Sequence, residues 1–171
     1  MNECLKILQI RRSIKSYQDT PVPQELLDQV LAAGVNAPTG MNMQSPVMVV
    51  VTDKALISEI EAMNAEIRGV TTSVFYGAPV VVIVFADSTV FTHVEDGSLV
   101  MGNLLNAAAS LGLGACWIHR ARQVFETPRG KELKKKWGLD DKYVGIGNCV
   151  IGYAENEPQP KEHKKDYIIY D

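Results

Sequence analysis

The stretch Pro79-Val80-Val81-Val82-Ile83-Val84-Phe85-Ala86 constrains this chain more than any other. A short, continuous and mostly β-branched apolar run reads as a strand covered on both faces. A half-buried strand would alternate apolar with polar residues, and a buried helix would need a longer run. Val47–Val51 is a second run of this kind and is expected to be buried as well. Ala115–Ile118 and Tyr143–Tyr153 read as further strands, and Gly145, Gly147 and Gly152 in the latter permit close backbone approach or a bulge. Between the strands the period changes to that of helices. With at least four strands alternating with helices, a sheet covered on both faces is the expected architecture.

The helical segments carry their own start and stop signals. Asn2 to about Gln9 places Leu5 and Leu8 on one face. A helix opening near Pro23 is striped by Leu26, Leu27, Val30 and Leu31 and is expected to stop at Gly34. Thr52-Asp53 caps a helix with Leu56, Ile57, Ile60 and Met63 inward. A long alanine-rich helix spans about Glu95 to Leu111, with Asp96 suited to its N-terminal dipole. Thr127-Pro128 opens the last helix, whose Arg129, Lys131, Lys134, Lys135 and Lys136 read as a solvated face ended by Gly138. Met41 and Met43 read as core or gap fillers. The tail Tyr167-Ile168-Ile169-Tyr170 is β-like and needs a sheet to bury against, in the same domain or in a second subunit.

With 171 residues, 46% apolar and 22% charged, the chain has the size and composition of one globular domain, residues 1–171. A net charge of −3 argues against a nucleic-acid surface. The longest apolar runs, Pro46–Val51 and Pro79–Ala86, fall far short of the roughly 20 residues of a membrane span. Charged residues within Met1–Leu8 do not fit a secretory leader, so a cytoplasmic location is expected, with neither nucleic acid nor membrane as partner. Cys4, Cys116 and Cys149 are widely spaced, and with His93, His119 and His163 they give no disulfide framework and no metal-ligand spacing. Cys116 and Cys149 read as small buried hydrophobes.

Two polar stretches carry chemistry. Arg11-Arg12-Ser13-Ile14-Lys15-Ser16 gathers three cations and two hydroxyls, the forked donors and point charge that suit a phosphate monoester. Alone it reads more simply as a solvated helix end. Asn36-Ala37-Pro38-Thr39-Gly40-Met41-Asn42-Met43-Gln44-Ser45-Pro46 is rich in turn formers, and Asn42 and Gln44 each offer donor and acceptor to the edge of a heterocycle. Gly112-Leu113-Gly114 follows a helix and precedes a strand, the reverse of a dinucleotide fingerprint.

The order of these motifs resembles the nitroreductase family, the FMN-dependent NAD(P)H oxidoreductases, in a short form. Arg11-Arg12-Ser13-x-Lys15 comes first, then Ala37-Pro38-Thr39-Gly40-x-Asn42-x-Gln44. Phe75-x-Gly77-Ala78-Pro79, Ser110-Leu111-Gly112-Leu113-Gly114, and Ile151-Gly152-Tyr153 before Pro160-Lys161 follow. The resemblance covers essentially the whole chain. It implies an α+β fold, a three-layer α/β/α sandwich with a central, mostly antiparallel sheet. It also implies an intertwined homodimer with two FMN at its interface, the tail from about residue 155 packing on the partner subunit. NADH or NADPH would reduce the flavin, and electrons would pass to a nitroaromatic, quinone or similar small-molecule acceptor in a ping-pong cycle.

By the same resemblance, Arg11, Arg12, Ser13 and Lys15 fall at the FMN phosphate and the flavin's polar edge. Pro38, Thr39, Gly40, Asn42 and Gln44 fall on a loop reaching the flavin from the other subunit. Trp117, Ile118 and His119 match the segment lying against the isoalloxazine, and Lys161 and His163 match a Lys-x-Arg that completes the phosphate site. His163 stands where the family has Arg, and Gln44-Ser45-Pro46 stands where it has Gln-Pro-Trp. No catalytic side chain is named, since the cofactor carries the chemistry. The alternatives are a flavoprotein with a different electron donor, a flavin store or sensor without turnover, and a plain phosphate- or nucleotide-binding domain built on Arg11–Lys15.

Overall fold

The computed structural model describes residues 2–160 and 162–171. In chain order it contains α1 (Glu3–Ile10), α2 (Gln24–Val35), a 3₁₀ turn (Gly40–Asn42), β1 (Pro46–Val51), α3 (Lys54–Arg68) and β2 (Val80–Asp87). These are followed by α4 (His93–Ser110), β3 (Gly114–Ile118), α5 (Ala121–Glu126), α6 (Pro128–Lys136) and β4 (Tyr143–Gly152). The strands form one sheet in the order β1-β2-β4-β3, and each neighbouring pair is antiparallel.

β2, apolar from Val80 to Ala86, lies inside the sheet, and its alternate side chains feed two cores. Val81, Ile83 and Phe85 join Val150 beneath Ile57 and Ile60 of α3, Val124 and Phe125 of α5, and Leu133 of α6. Val80, Val82 and Val84 join Cys149 and Ile151 beneath Leu27 and Val30 of α2 and Val100, Met101, Leu104 and Ala108 of α4. The result is the expected α/β/α sandwich. Each large side chain buried this way contributes about 1.5–3 kcal/mol of hydrophobic stabilisation. Phe85 adds an edge-on contact with Phe125, their ring centres 4.9 Å apart. A bulge near Val84 and Phe85, where Val84 pairs with Gly147 and Phe85 with Gly145, uses the glycines anticipated for it.

Several expectations change. β1 is an edge strand and only half-buried, with Val50 exposed, because nothing pairs with its outer side within the described chain. Gly34 does not end α2. It is buried, its missing side chain leaving room for Met48 and Leu104, and the helix runs on to Val35. α4 begins at His93, and α5 is a helix that no sequence period announced. Lys134 is buried rather than solvated, its Nζ donating to the Tyr143 carbonyl at 2.7 Å. Met41 and Met43 are exposed and fill no core. Tyr167–Tyr170 forms no strand and lies exposed, so this domain's own sheet does not receive it. Among the described residues no helix is long and apolar enough to cross a membrane.

Candidate active site

The Arg11–Lys15 segment leaves α1 in extended form and runs along β3. Ser13 bridges Ala115 in parallel register, and the Ile14 amide donates to the Ala115 carbonyl at 3.1 Å. Extended backbone alternates its side chains, so Ile14 enters the core while Ser13 and Lys15 stay exposed. Gly114 makes this docking possible. A Cβ there would stand 2.6 Å from Ile14 Cγ1.

Two hollows flank the segment. The first, about 380 Å³, is lined by Arg11 and Arg12 together with Gly112–Gly114 and Pro158–Pro160. Arg12 donates to the Gln9 and Arg11 carbonyls at 2.8 and 2.9 Å. One terminal guanidinium nitrogen of Arg11 is buried without a partner. A buried, unsatisfied cationic donor is costly in isolation, so an acceptor at this position would relieve it.

The second hollow, about 480 Å³, is lined by Lys15, Asn64, Arg68, Tyr76, Cys116, Trp117, Ile118, His119 and Arg120. Two buried asparagines fix its floor. Asn64 donates to the His119 carbonyl at 2.9 Å, and Asn148 lies 3.4 Å from the Ile118 carbonyl. The Arg120 amide donates to His119 Nδ1 at 2.7 Å, which leaves the neutral ring as its Nε2–H tautomer. Trp117 packs over Gly147, where a Cβ would come within 2.8 Å of indole Cε2. The indole N–H is buried with no protein partner. Burial disfavours the thiolate form of the two cysteines near this hollow. Burial pushes Cys149 up, and it raises Cys116 despite Ser13, Lys15 and Arg11 nearby.

The loop Pro38–Gln44 lies elsewhere, bordering a hollow of about 510 Å³ that shares no lining residue with the other two. Met41, Asn42 and Gln44 all hold φ near +50°. Such backbone persists only when its surroundings enforce it. The enforcement comes from Asp96 in the first turn of α4. Its Oδ1 accepts from the Gly40 amide at 2.8 Å, and its Oδ2 accepts from Ser45 Oγ at 2.7 Å and Thr92 Oγ1 at 3.2 Å. Burial pushes the Asp96 carboxyl up, but these three donors and His93 outweigh it and hold the group below the ordinary value. The loop's amides partly pair with each other, Gln44 Nε2 donating to Asn42 Oδ1 at 3.2 Å.

The sequence profile described as the nitroreductase family matches residues 8–153. The chain belongs to the nitroreductase family. It is similar, at 34% identity over 94% of its length and 82% of the relative's, to a Methanothermobacter thermautotrophicus protein assigned as an NADH dehydrogenase/NAD(P)H nitroreductase. It is also 32% identical to the FMN reductase (NAD(P)H) of Bacillus subtilis, across 100% of this chain and 77% of that one. Two solved nitroreductases with bound FMN share its fold. One, from Bacteroides fragilis, has TM-score 0.91 and 25% identity over 100% of both chains. The other, from Desulfitobacterium hafniense, has TM-score 0.90 and 28% identity over 100% and 99%.

Against the family-based expectations, one nitroreductase chain brings Lys15 together with Trp117, Ile118 and His119, and sets Arg11 and Arg12 in the adjoining hollow. Pro38, Thr39, Gly40, Asn42 and Gln44 do not meet them within this chain. His163 is exposed in the tail, and Lys161 lies outside the described residues. Sequence reasoning missed Asn64, Arg68, Tyr76 and Arg120. Tyr76 sits inside Phe75-x-Gly77-Ala78-Pro79 and Arg120 next to His119, so neighbouring motifs held a signal for these two. Nothing in sequence marked Asn64 or Arg68, at the end of α3.

Proposed function

We propose that this nitroreductase-family protein is an FMN-dependent oxidoreductase that takes electrons from NADH or NADPH and delivers them to a nitroaromatic, quinone or similar small acceptor. The single observation that carries the reading is the buried, partnerless terminal guanidinium nitrogen of Arg11 beside Arg12, on the same extended segment whose Lys15 lines the hollow with Trp117. A phosphorylated, planar, partly polar cofactor matches that donor set. Arg11, Arg12 and Ser13 would take its phosphate, with His163 and Lys161 as further candidates. Lys15 would face the polar edge of the ring system, and Trp117, Ile118 and His119 its face. Bound FMN would supply two-electron hydride chemistry between nicotinamide and acceptor.

The chain's own part is to bind, orient and exclude water. The asparagine clamps on the Ile118 and His119 carbonyls fix the peptide planes at the floor of the hollow, and Lys15 supplies positive charge where negative charge would develop. The proposal extends to residues 1–171 as one domain working in the cytoplasm as a homodimer. The loop Pro38–Gln44 and the tail from about residue 155 would reach the partner. The exposed edge of β1 and the exposed Tyr167–Tyr170 support this, since each presents apolar surface without a cover. Initial rates with NADPH and a quinone or nitroaromatic acceptor test the turnover reading. Parallel double-reciprocal lines with release of FMN on denaturation are expected, and a flavin-loaded protein that oxidises neither nicotinamide would overturn it.

A further inference from the structure

The second hollow carries more positive charge than one cofactor edge requires. Lys15, Arg68 and Arg120 line it together with His119, and no carboxylate does. The chain as a whole has 17 Lys+Arg against 20 Asp+Glu. An unbalanced cationic cleft on a net acidic protein is a local arrangement and not a reflection of composition. The side chains of Lys15, Arg68 and Arg120 enter none of the ion pairs or hydrogen bonds among the described residues, whereas Arg122 and Arg129 are both paired with glutamates. The phosphate reading above uses Arg11 and Arg12 in the neighbouring hollow, and Lys15 is assigned to the ring edge. Arg68 and Arg120 are left without a task.

Their setting is built. Arg120 holds φ +83° and Tyr76 holds φ +58°, left-handed conformations that non-glycine residues seldom adopt. Ser73 Oγ accepts from the Tyr76 amide at 2.9 Å. Glu61 in turn accepts from Ser73 Oγ at 2.6 Å and from the Val74 and Phe75 amides at 2.8 and 2.7 Å. This network holds an aromatic ring at the cleft wall. Two unpaired guanidinium groups thus line the same hollow as the aromatic rings of Tyr76 and Trp117.

We infer that Arg68 and Arg120 form an acidic-group subsite for the second substrate, so that the preferred acceptors are aromatic rings bearing a carboxylate or similar oxyanion. Guanidinium forks match carboxylates in geometry, and the surplus charge steers anions into the cleft. This rests on the FMN oxidoreductase reading. For a nitroaromatic acid the balanced conversion is R–NO₂ + NADPH + H⁺ to R–NO + NADP⁺ + H₂O.

The test compares a charged and a neutral acceptor of the same shape, 4-nitrobenzoate and 4-nitrobenzyl alcohol, in wild type, Arg68→Gln, Arg120→Asn and the double variant. Asn tolerates the left-handed backbone at residue 120. The ratio of kcat/KM for acid over alcohol is expected to fall about tenfold in each single variant, the size of one lost charge-assisted hydrogen bond. Lys135→Gln, on the exposed face of α6, should keep the wild-type ratio. Calorimetry with benzoate and benzamide on the oxidised protein gives a readout without turnover. Benzoate should bind more tightly in wild type, and the margin should vanish in the double variant and shrink with salt. No preference in wild type, an intact ratio in the double variant, or a loss confined to the KM for NADPH would overturn the inference. FMN content separates the two levels. Protein without flavin refutes the proposed function itself, whereas flavin-loaded protein lacking the preference refutes only the subsite.

Discussion

Asp96 Oδ1 accepts a hydrogen bond from the Gly40 amide at 2.8 Å, tying the first turn of α4 to a loop 56 residues earlier in the chain. The carboxylate is almost fully buried, and its other oxygen holds Ser45 and Thr92. A helix-dipole role, the expectation from sequence, is therefore only part of what Asp96 does. It fixes the backbone of the loop proposed to reach the partner's cofactor.

Asp96→Ala should cost about 2–4 kcal/mol, because it leaves the buried Ser45 hydroxyl and the Gly40 amide without acceptors. Chemical denaturation checks this, and loosening of the loop should also appear as faster amide exchange at Met41–Gln44. The pH dependence follows from the direction of the shift. The folded value of Asp96 is lowered from 3.8, so its contribution is complete above that ordinary value and is lost as pH falls through the lowered folded value. An Asp96→Asn variant should show a flatter acid limb than wild type in denaturation midpoints measured from pH 6 down to about pH 3.

Gly147→Ala should push the Trp117 indole from its seat. Overpacking of this kind costs about 1–3 kcal/mol, and the tryptophan emission should shift with it. In a Trp117→Leu background the same change should cost markedly less, so the two positions should couple in a double-mutant cycle.

Lys134→Ala should destabilise by about 1–3 kcal/mol through loss of the bond to the Tyr143 carbonyl. Lys135→Ala, exposed on the same helix, should stay within about 0.5 kcal/mol of wild type. Thermal melts of the pair check this contrast between adjacent lysines.

Lys15→Ala should weaken FMN binding about 10- to 100-fold, the loss of one charge-assisted contact. It should also lower the reduction potential, since Lys15 is assigned to stabilising charge at the ring's polar edge. Unchanged affinity and potential in this variant would remove Lys15 from that role.

Much of the fold was legible because β2 is apolar from Val80 to Ala86 and Asp53 and Thr127 are explicit caps, each accepting from an amide three residues on. Burial was less legible where it depends on neighbours. Val47–Val51 has the composition of an interior strand but lies at the sheet edge. Lys134 has the composition of a surface residue but meets a carbonyl from β4. α5 escaped because its short run, Ala121–Glu126, holds too few apolar residues to show a period. At the site, the Arg11–Lys15 cluster and Trp117–His119 were visible as local motifs. Arg68 and Tyr76 join them only through the ends of α3 and the turn before β2, a juxtaposition that no sequence spacing encodes.

The visible spectrum of the purified protein, recorded without oxygen before and after addition of NADPH, tests the central claim most directly. The account predicts a yellow protein carrying FMN whose colour bleaches on addition of the nicotinamide. A colourless protein that cannot be reconstituted with FMN would contradict it.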